Sequence, residues 1–592
     1  MATSSTTEAE SRHDDEGTSA HEEQHKGPIS KTIPEPAELE KDTLGVYEHH
    51  NAEADADADT DAPLETREES KPKQSVTTAP HKSSLRGTRS RENRINGAGT
   101  RDVEKAKRKT SGAGRDPNVI WWDGPHDPLN PMNFSRWSKI LNVTLISAIC
   151  FVTPLASSMF APGVPELMIE FEAEGDVILA SFVVSVYVLG FAVGPLFFAP
   201  LSEVFGRLPI YHACNLLFLV FNIACALATD LPMLIGFRFM AGVFGSAPLT
   251  NGGGTIADLV SAEGRGKAMW GFVMGPIIGP IIGPVVGGFL SQSQGWRWVF
   301  WVLSMISGVF GIASLIVLRE TYAATILRKK TNRLRKSTGN KLLRSRLDAG
   351  LSPKDFFVRA LIRPAKLLAF SPVVLITALY VGVVYGYLYL LFTTFTPIFE
   401  DVYGFETGDV GLTFLGLGIG SVVGVVFFVW STNRMFKRRK AALEAASGDE
   451  GAAAVIAFEP EMRLQMVIPT YALIPVGLFI YGWTTHYHIH WMVPILATVL
   501  IGIGNMAVFM GISLYLIDAF GAYAASALAA NTVIRSVMGA VLPLAGRTMY
   551  QRLGLGWGNS LLAFVALALI PVAWGLMKYG ARLRKKFFIK NL

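Results

Sequence analysis

The stretch Gly279-Pro280-Ile281-Ile282-Gly283-Pro284-Val285-Val286-Gly287-Gly288 lies within an apolar segment, residues 267–290, that is long enough to cross a bilayer. In a water-soluble helix, each glycine costs up to about 1 kcal/mol and each interior proline about 3 kcal/mol. Inside a bilayer, small residues four apart let two helix backbones touch, and neighbouring groups satisfy the carbonyls that proline frees. The stretch therefore predicts a kinked membrane helix in close contact with a partner helix, as a moving membrane protein requires.

Most of the remaining chain is apolar as well. Of its 592 residues, 50% are hydrophobic, and the mean hydropathy is positive. Residues 1–118 are the exception, because they are polar and charged and contain almost no aromatic residue. Such a segment cannot bury enough apolar surface to offset the entropy of ordering it. A mostly disordered N-terminal tail, residues 1–138, is therefore predicted ahead of the first membrane helix.

The three cysteines, Cys150, Cys214 and Cys225, all fall within apolar runs. Their spacing indicates neither a disulfide framework nor a metal site, so we expect no metal and no cofactor. The net charge of +6 is modest and reflects membrane topology, not nucleic-acid binding. No apolar segment occurs early in the chain, and we expect no cleavable signal peptide.

About 20 helical residues cross the roughly 30 Å hydrocarbon core of a bilayer. Apolar runs of this length predict twelve membrane helices, which we number spans 1–12 in chain order. The predicted spans are residues 139–160, 178–200, 210–229, 232–256, 267–290, 297–318, 372–398, 410–432, 464–484, 491–516, 523–547 and 557–579. An even number of spans places both termini on the same side of the membrane.

Lys and Arg residues concentrate in the connections on that side. The central loop 319–371 holds fourteen of them, the loop after span 8 contains Lys437-Arg438-Arg439-Lys440, and the tail 581–592 holds five more. In contrast, loops 161–177 and 399–409 carry acidic residues and neither Lys nor Arg. By the positive-inside rule, both termini and the central loop are predicted to be cytosolic. The basic run 328–346 predicts either an amphipathic helix along the inner leaflet or a solvated linker.

The central loop divides the spans into two sets of six, residues 139–318 and 372–580. The two sets echo each other weakly, because Leu201–Arg207 after span 2 and Asn433–Arg439 after span 8 occupy matching places. The prediction is an all-α membrane protein with two six-helix halves related by a pseudo-two-fold axis along the membrane normal. This architecture suits alternating access to a site near the midplane.

Several motifs resemble those of the major facilitator superfamily, and the resemblance covers residues 121–580. Ala199-Pro-Leu-Ser-Glu203-Val-Phe-Gly206-Arg207 is similar to its loop 2–3 signature, Leu234-Ile-Gly-Phe-Arg238-Phe-Met-Ala-Gly242 to its span 4 signature, and 279–288 to the span 5 signature of its exporter branches. The first motif departs from the superfamily pattern, which usually has Gly at Ala199, Asp at Glu203 and a base at Leu208. Narrower likenesses to the fungal twelve-span drug:proton antiporters are Trp122-Asp123-Gly124-Pro125, Ser158-Met159-Phe160-Ala161-Pro162-Gly163, Glu320-Thr321-Tyr322 and Tyr523-Ala524-Ala525-Ser526-Ala527.

The resemblance implies a monomeric exporter of drugs, toxins, polyamines or fungal secondary metabolites. Its expected partners are a small-molecule substrate, the proton as coupling ion and the lipid bilayer. The expected location is the plasma membrane, with the vacuolar membrane as the alternative. A nutrient importer on the same fold, a non-transporting receptor or scaffold, and an integral-membrane enzyme are the competing functions. The span 5 pattern speaks against the importer, and no nucleophile–base pair or metal cluster supports an enzyme.

Arg238 and Arg535 are the strongly charged residues that fall well inside predicted spans. A central arginine costs at least about 2.5 kcal/mol and indicates a function by default. The competing interpretation is a structural clamp for backbone carbonyls of a neighbouring helix. Asn531 lies one turn before Arg535 on the same face, so the pair is predicted to bind an anionic or carbonyl-bearing group or to form an internally satisfied polar cluster.

No Asp or Glu falls in the middle of a predicted span, so proton antiport is implied by the resemblance and not by an intramembrane acid. His212 in span 3 is a lone histidine that is more often a core hydrogen-bonding group than a proton carrier. Glu203 and Arg207, four residues apart, form a possible ion pair. Predicted coupling or gating residues are Glu203, Arg207, Arg238, Asp258, Asp518, Gly279, Gly283, Pro284 and Gly287.

Span 7 carries an aromatic face. Tyr385, Tyr389 and Phe392 recur at i, i+4 and i+7, and aromatic side chains with polar tips suit a cavity for large amphipathic ligands. Ordinary core packing is the alternative. Asn251 in span 4 and Asn505 in span 10 are further candidates for lining this cavity, and Asn531 and Arg535 complete the predicted substrate site.

Overall fold

The structure, a computed structural model, describes residues 118–173, 175–348, 350, 352–447 and 460–587. Within these ranges eleven helices are long and apolar enough to cross a membrane. The last of them, Ala524–Lys586, has 63 residues and contains a non-helical residue, Gly554 (φ 72°, ψ 170°), at which two membrane-length helices meet. The described chain therefore has twelve spans. The predicted tail lies, up to residue 117, outside the described residues.

The helices follow the predicted order, and many extend past the apolar run because polar residues continue the helix beyond the hydrocarbon core. Spans 1–6 are Arg136–Ser158, Val177–Phe205, Arg207–Ala226, Leu231–Leu259, Ala262–Gln294 and Arg297–Val317. Spans 7–10 are Pro372–Tyr403, Thr407–Ser447, the pair Met462–Tyr471 and Leu473–His486, and Met492–Phe520, while spans 11 and 12 share Ala524–Lys586. Proline inside span 9 accompanies its division into two helices.

Odd-numbered spans begin at the end of the molecule that carries the basic loops, which we call the basic face, and end at the opposite, acidic face. The acidic loop 161–177 is more ordered than a plain connection, because it contains a short helix, Val164–Glu170. Glu170 accepts a hydrogen bond from the Trp296 indole at 2.7 Å and pairs with Arg297. The Glu170 carboxylate therefore ties the start of span 6 to the short helix that follows span 1.

At the basic face, the segment before span 1 is joined to the central loop. Strand β1 (Val119–Ile120) pairs in parallel with β2 (Arg344–Ser345), which follows the first linker helix, Ala323–Thr338. We call this strand pair, with the linker helix, the basic-face clasp. The basic run 328–346 is thus helix, turn and strand that contact the N-terminal segment, an arrangement that neither sequence interpretation included. A second linker helix, Pro353–Phe370, precedes span 7.

Lys330 is the charged centre of the clasp. Its Nζ lies 3.3 Å from Asp127 Oδ2 and 2.6 Å from Asp123 Oδ1, and the Asp127 side chain is 2% exposed whereas that of Asp123 is 79% exposed. Burial acts to raise the pKa of Asp127, but backbone N–H groups of Asp123 and Leu129 and the Lys330 ammonium outweigh it and hold this pKa below its usual value. The stabilisation from Asp127 is therefore present above its unfolded-state pKa and is lost as the pH falls through the lower folded-state pKa.

We predict that Asp127→Asn lowers the free energy of unfolding by about 1–3 kcal/mol, because a largely buried ammonium loses its buried counter-ion. Asp123→Asn is the matched control, because it removes a solvent-exposed carboxylate that pairs with the same lysine. This change should cost less than about 1 kcal/mol. Thermal unfolding of the detergent-solubilised protein measures both. Equal shifts for the two variants would contradict the buried role of Asp127.

The glycine register of span 5 faces span 1. A Cβ on Gly279 would lie 2.9 Å from the Leu155 nitrogen, one on Gly283 would lie 3.1 Å from the Leu155 oxygen, and one on Gly287 would collide with the Met159 oxygen. The partner atoms are backbone, which cannot rotate away. Spans 1 and 5 are therefore in the backbone contact that the small-residue register predicts.

The other side of span 5 contacts span 8 in the second half. A Cβ on Gly411 would lie 2.5 Å from the Pro284 carbonyl oxygen, and a Cβ on Gly288 would lie 2.7 Å from the Thr407 oxygen. Both contacts lie toward the acidic face. Span 5 is thus packed between a helix of its own half and a helix of the other half.

We predict that Gly283→Leu lowers the unfolding temperature sharply, at a cost of at least about 1–3 kcal/mol, because the side chain would force the span 1 backbone away. Gly271→Leu is the control in the same helix, since nothing lies within 4 Å of a Cβ at Gly271. A scan of thermal stability in detergent compares the two. The close-contact interpretation fails if Gly283→Leu is as stable as Gly271→Leu.

Candidate functional site

Several polar contacts join the halves on the acidic side of the molecule. The Tyr389 hydroxyl of span 7 lies 3.0 Å from Ser157 Oγ of span 1. Farther out, Gln292 Nε2 at the end of span 5 donates to Glu406 Oε2 at 2.5 Å, and its Oε1 accepts from the Gly408 nitrogen at 3.1 Å. The acidic side of the interface is thus closed in this conformation.

Arg238 is buried in a cage made by its own half. Its Nε donates to the Val183 carbonyl of span 2 at 2.7 Å, and its guanidinium lies 4.9 Å from the ring centre of Phe160, 5.3 Å from that of Tyr187 and 5.6 Å from that of Phe300. Carbonyl and aromatic partners replace a carboxylate. This geometry is that of the structural clamp, and a coupling role for Arg238 stays a prediction.

The hydrogen-bonding groups of Arg535 in span 11 are less completely paired than those of Arg238. Its guanidinium lies 4.6 Å from the ring centre of Tyr385 and 5.0 Å from that of Phe509. Within the described residues, Arg535 has no carboxylate at ion-pair distance and its Nε has no hydrogen-bond partner. The nearby Asn531 is 2% exposed, and its Oδ1 also has no partner there. A free donor and a free acceptor therefore remain one helical turn apart.

The predicted aromatic face of span 7 is a continuous row of tilted and edge-to-face ring contacts. The ring centres of Tyr385 and Tyr389 are 5.0 Å apart, and those of Tyr389 and Phe392 are 5.4 Å apart. Tyr389 and Phe392 are each 2% exposed, so both belong to the core in this conformation. Tyr385 is half-buried beside Arg535 and is the member of the three that the structure places in the candidate site.

The two asparagines considered for the central cavity are buried and hydrogen-bonded. Asn505 Nδ2 donates to a span 7 carbonyl at 3.1 Å and ties span 10 to span 7. Asn251 Oδ1 accepts from Ser202 Oγ at 3.0 Å, which places Asn251 in a polar cluster near the basic face and not beside Arg535. His212 contacts a span 6 serine hydroxyl at 3.2 Å, as expected of a core histidine.

At the basic face, Arg207 is the centre of a cluster within the first half. Its Nε lies 3.5 Å from Asp258 Oδ2, and its backbone nitrogen donates to Glu320 Oε1 at 3.0 Å. Glu203 has no ion pair within 4.0 Å among the described residues, so the possible Glu203–Arg207 pair does not form. The reason is local, because Gly206 (φ 107°) ends span 2 between the two residues, and the i, i+4 spacing no longer places them on one face.

The motif Glu320-Thr321-Tyr322 covers this cluster from the exit of span 6. The Arg207 guanidinium lies 5.1 Å from the ring centre of Tyr322. Burial raises the pKa of Tyr322 to about 12, so its hydroxyl is neutral at physiological pH. The motif therefore covers the cluster and adds one charged group beside Arg207, the Glu320 carboxylate.

The second half has its own charged cluster at the basic face. Asp518 at the end of span 10 pairs with Arg463 at the start of span 9, with Nε to Oδ2 at 3.0 Å. Glu461 pairs with Arg584 of span 12 at 2.5 Å. Of these four residues the sequence analysis identifies Asp518 alone. The other three were missed because the two members of each pair lie more than 50 positions apart in the sequence. The presence of an acid and a base at neighbouring ends of spans could have predicted these pairs.

We predict that Asp258→Asn speeds labelling of the buried Cys150 by a small thiol reagent. The substitution removes the counter-ion of Arg207, which should lower the free energy of unfolding by about 1–3 kcal/mol. This loss should loosen the adjoining apolar cluster of Cys150, Tyr211 and Ile256. Glu203→Gln is the matched control and should leave the labelling rate near that of the wild type. Faster labelling in Glu203→Gln than in Asp258→Asn would reverse the assignment of the Arg207 partner.

A model of the Major Facilitator Superfamily matches residues 146–543, which is more than half of the chain. The chain belongs to the major facilitator superfamily. Its twelve spans, with the central linker after the sixth, are the major facilitator fold, and the protein is a multi-pass membrane transporter.

Relatives and solved structures agree with this assignment. The MFS-type transporter tndD of Aspergillus flavipes is 55% identical over 80% of this chain and 86% of its own. The efflux pump radE of Floropilus chiversii is 49% identical over 79% of this chain and 85% of its own. The inward open xylose transporter XylE from E. coli matches with a TM-score of 0.53 at 15% identity, over 74% of this chain and 95% of that one. Identity this low supports the fold alone.

Proposed function

We propose that this transporter exports small amphipathic organic molecules across the plasma membrane by proton antiport, with both termini in the cytosol. The observation that carries the proposal is the Arg535 site, in which the half-buried arginine places its guanidinium against two aromatic rings. Its Nε and the Asn531 Oδ1 are without partners among the described residues. A ligand group supplies what these atoms lack.

The chemistry of the site favours a molecule with an anionic or carbonyl-bearing group on an apolar body. A carboxylate or enolate would offset the desolvation of the guanidinium, whose planar fork binds two oxygens at once. The faces of Tyr385 and Phe509 would pack against the apolar body of the same molecule. Asn531 Oδ1 would accept from a hydroxyl or amide donor on it.

Three observations support export as the direction of transport. The relative from Floropilus chiversii is named an efflux pump. The span 5 glycine and proline pattern resembles that of exporters, and the positive-inside rule assigns the basic face to the cytosol. With the acidic face closed, this conformation would then present the substrate site to the cytosol. Rocking of the half 139–318 against the half 372–580 would open the acidic face.

Proton antiport is supported by the likeness to the drug:proton antiporters and by the carboxylates that end several spans. Asp258 and Asp518 lie at equivalent basic-face ends of spans 4 and 10, each held by an arginine. Breaking such a pair by protonation changes the charge at the face that must open and close. The proposed coupling set keeps Arg207, Asp258 and Asp518, and it keeps Glu203 as a neighbour of the cluster.

We predict that Arg535→Ala raises the KM for an anionic substrate at least about tenfold, the equivalent of one charge-assisted hydrogen bond. Arg535→Lys should give a smaller rise, because lysine keeps the charge and loses the fork. Arg552→Ala is the control, since Arg552 is an exposed arginine of the same long helix. The assay is whole-cell efflux of two fluorescent probes with the same apolar body, one ending in a carboxylate and one in a tertiary amine, with surface expression measured for each variant.

The two probes separate the parts of the proposal. Loss of efflux for the carboxylate probe alone supports an anion site at Arg535. Equal loss for both probes makes Arg535 a structural residue, and wild-type kinetics in both Arg535 variants remove it from the site. Probe accumulation above that of cells lacking the protein would show import and overturn the proposed direction.

A further inference from the structure

A cavity of about 240 Å³ lies between the halves on the acidic side. Its two walls differ in chemistry. The wall from the first half is apolar and includes Val164, Met168 and Ile169. The wall from the second half is polar and includes Thr396, Glu400 and Arg547. No titratable side chain of the first half lines this cavity in the described part of the chain.

Glu400 is the carboxylate that lines the cavity from the last turn of span 7. It is half-buried, and its described hydrogen bond is a long one, 3.4 Å from the Thr407 hydroxyl. Arg547 of span 11 lines the same cavity without an ion pair to Glu400 within 4.0 Å, and Asp401 is exposed next to Glu400 along the helix. Among the described residues, Glu400 is therefore a carboxylate without an ion-pair partner, and it lies between the two halves.

Four other carboxylates at or near the ends of spans are held differently. Asp258, Asp518 and Glu461 are paired with arginines of their own half, and Glu170 is paired with Arg297. Rocking of the halves leaves such pairs intact, because both partners move together. The charged neighbours of Glu400, Asp401 and Arg547, also belong to its own half, so rocking does not change their distances from Glu400.

What changes around Glu400 during rocking is the opposite wall. Asp401, Arg547 and Thr407 move with Glu400, so their electrostatic effects are similar in both states. The apolar wall of Val164, Met168 and Ile169 belongs to the other half and withdraws when the acidic face opens. Covering an unpaired carboxylate with apolar surface costs free energy that covering the neutral acid does not. Closure of the acidic face therefore favours the protonated form of Glu400, and opening of this face favours the ionised form.

We propose that Glu400 is a proton-operated gate, which takes up a proton from the medium at the acidic face as that face closes and releases it as the face opens. Acidification on this side therefore favours the closed acidic face. The proposal rests on the alternating access of the proposed function, but it requires neither the substrate nor the direction of export. It gives the transporter a response to the pH of the medium at the acidic face.

The test uses thiol labelling in place of transport, with the full chain in proteoliposomes. Met168→Cys places a reporter on the apolar wall, where Met168 is 4% exposed, and Ile169→Cys places a reference at the rim, where Ile169 is 61% exposed. The native cysteines are all buried. A membrane-impermeant maleimide is added at the acidic face, and the rate at position 168 is divided by the rate at 169 to cancel the pH dependence of the reagent.

We predict that this ratio falls as the pH at the acidic face is lowered, by up to about tenfold per pH unit, the limit for one linked proton. The fall should persist in Asp401→Asn, the control that removes the exposed neighbour, and should vanish in Glu400→Gln, which stays closed. If Glu400→Gln does not fold, Glu400→Asp serves instead and should shift the midpoint of the pH dependence while Asp401→Asn does not.

The outcomes separate this proposal from the proposed function. A ratio that does not change with pH in the wild type, or that still changes in Glu400→Gln, overturns the gate while leaving alternating access and export in place. An unmoved midpoint in Glu400→Asp also overturns it. Failure of the efflux assay with a pH-dependent labelling ratio would reject the exported substrate class and keep the gate.

Discussion

Backbone contact through glycine is the constraint on which the rest of this structure depends. Lipid tails are as apolar as leucine side chains, so helices in a bilayer gain little from apolar burial against one another and associate by close packing. Span 5 shows the consequence twice. Gly279, Gly283 and Gly287 bring it against span 1, and Gly411 brings span 8 against its other side. One helix thereby packs within its own half and also touches the other half.

None of the ion pairs found among the described residues joins the two halves. The buried arginine of the first half, Arg238, is satisfied by a carbonyl and three rings, all from that half. The clusters around Arg207 and Arg463 lie at the basic face, and each stays within one half. Arg535 differs because, within the described part of the chain, neither its Nε nor the nearby Asn531 Oδ1 has a hydrogen-bond partner. An unsatisfied buried group is costly in a finished structure and is useful where a ligand completes it.

The sequence alone predicted most of the fold, since twelve apolar runs, the basic loops and the span 5 glycines each report a local property. It predicted the candidate site less well. Tyr389 and Phe392 share a face with Tyr385, but periodicity cannot tell a face that packs on another half from one that lines a cavity. Glu203 and Arg207 are four apart, yet Gly206 breaks the helix between them. Partners such as Arg463 for Asp518, or Gln292 for Glu406, are set by tertiary packing and leave no trace in local spacing.

The balance between the halves is set by weak contacts. The closed acidic side is held by Tyr389 with Ser157, by Thr396 with the Ala161 carbonyl at 3.4 Å, and by the Gln292 amide. A neutral hydrogen bond contributes about 0.5–1.5 kcal/mol net, so these contacts together supply only a few kcal/mol. Removing one partner of an ion pair inside a half, such as Asp258 with Arg207, costs about 1–3 kcal/mol, and each half is also held by its own close helix packing. In the proposed rocking, each half would therefore move as a unit, and a ligand with a tenfold preference for one state, equal to about 1.4 kcal/mol, would shift the interface between them. A transporter needs this ordering of energies, because strong contacts across the interface would hold one state whatever was bound.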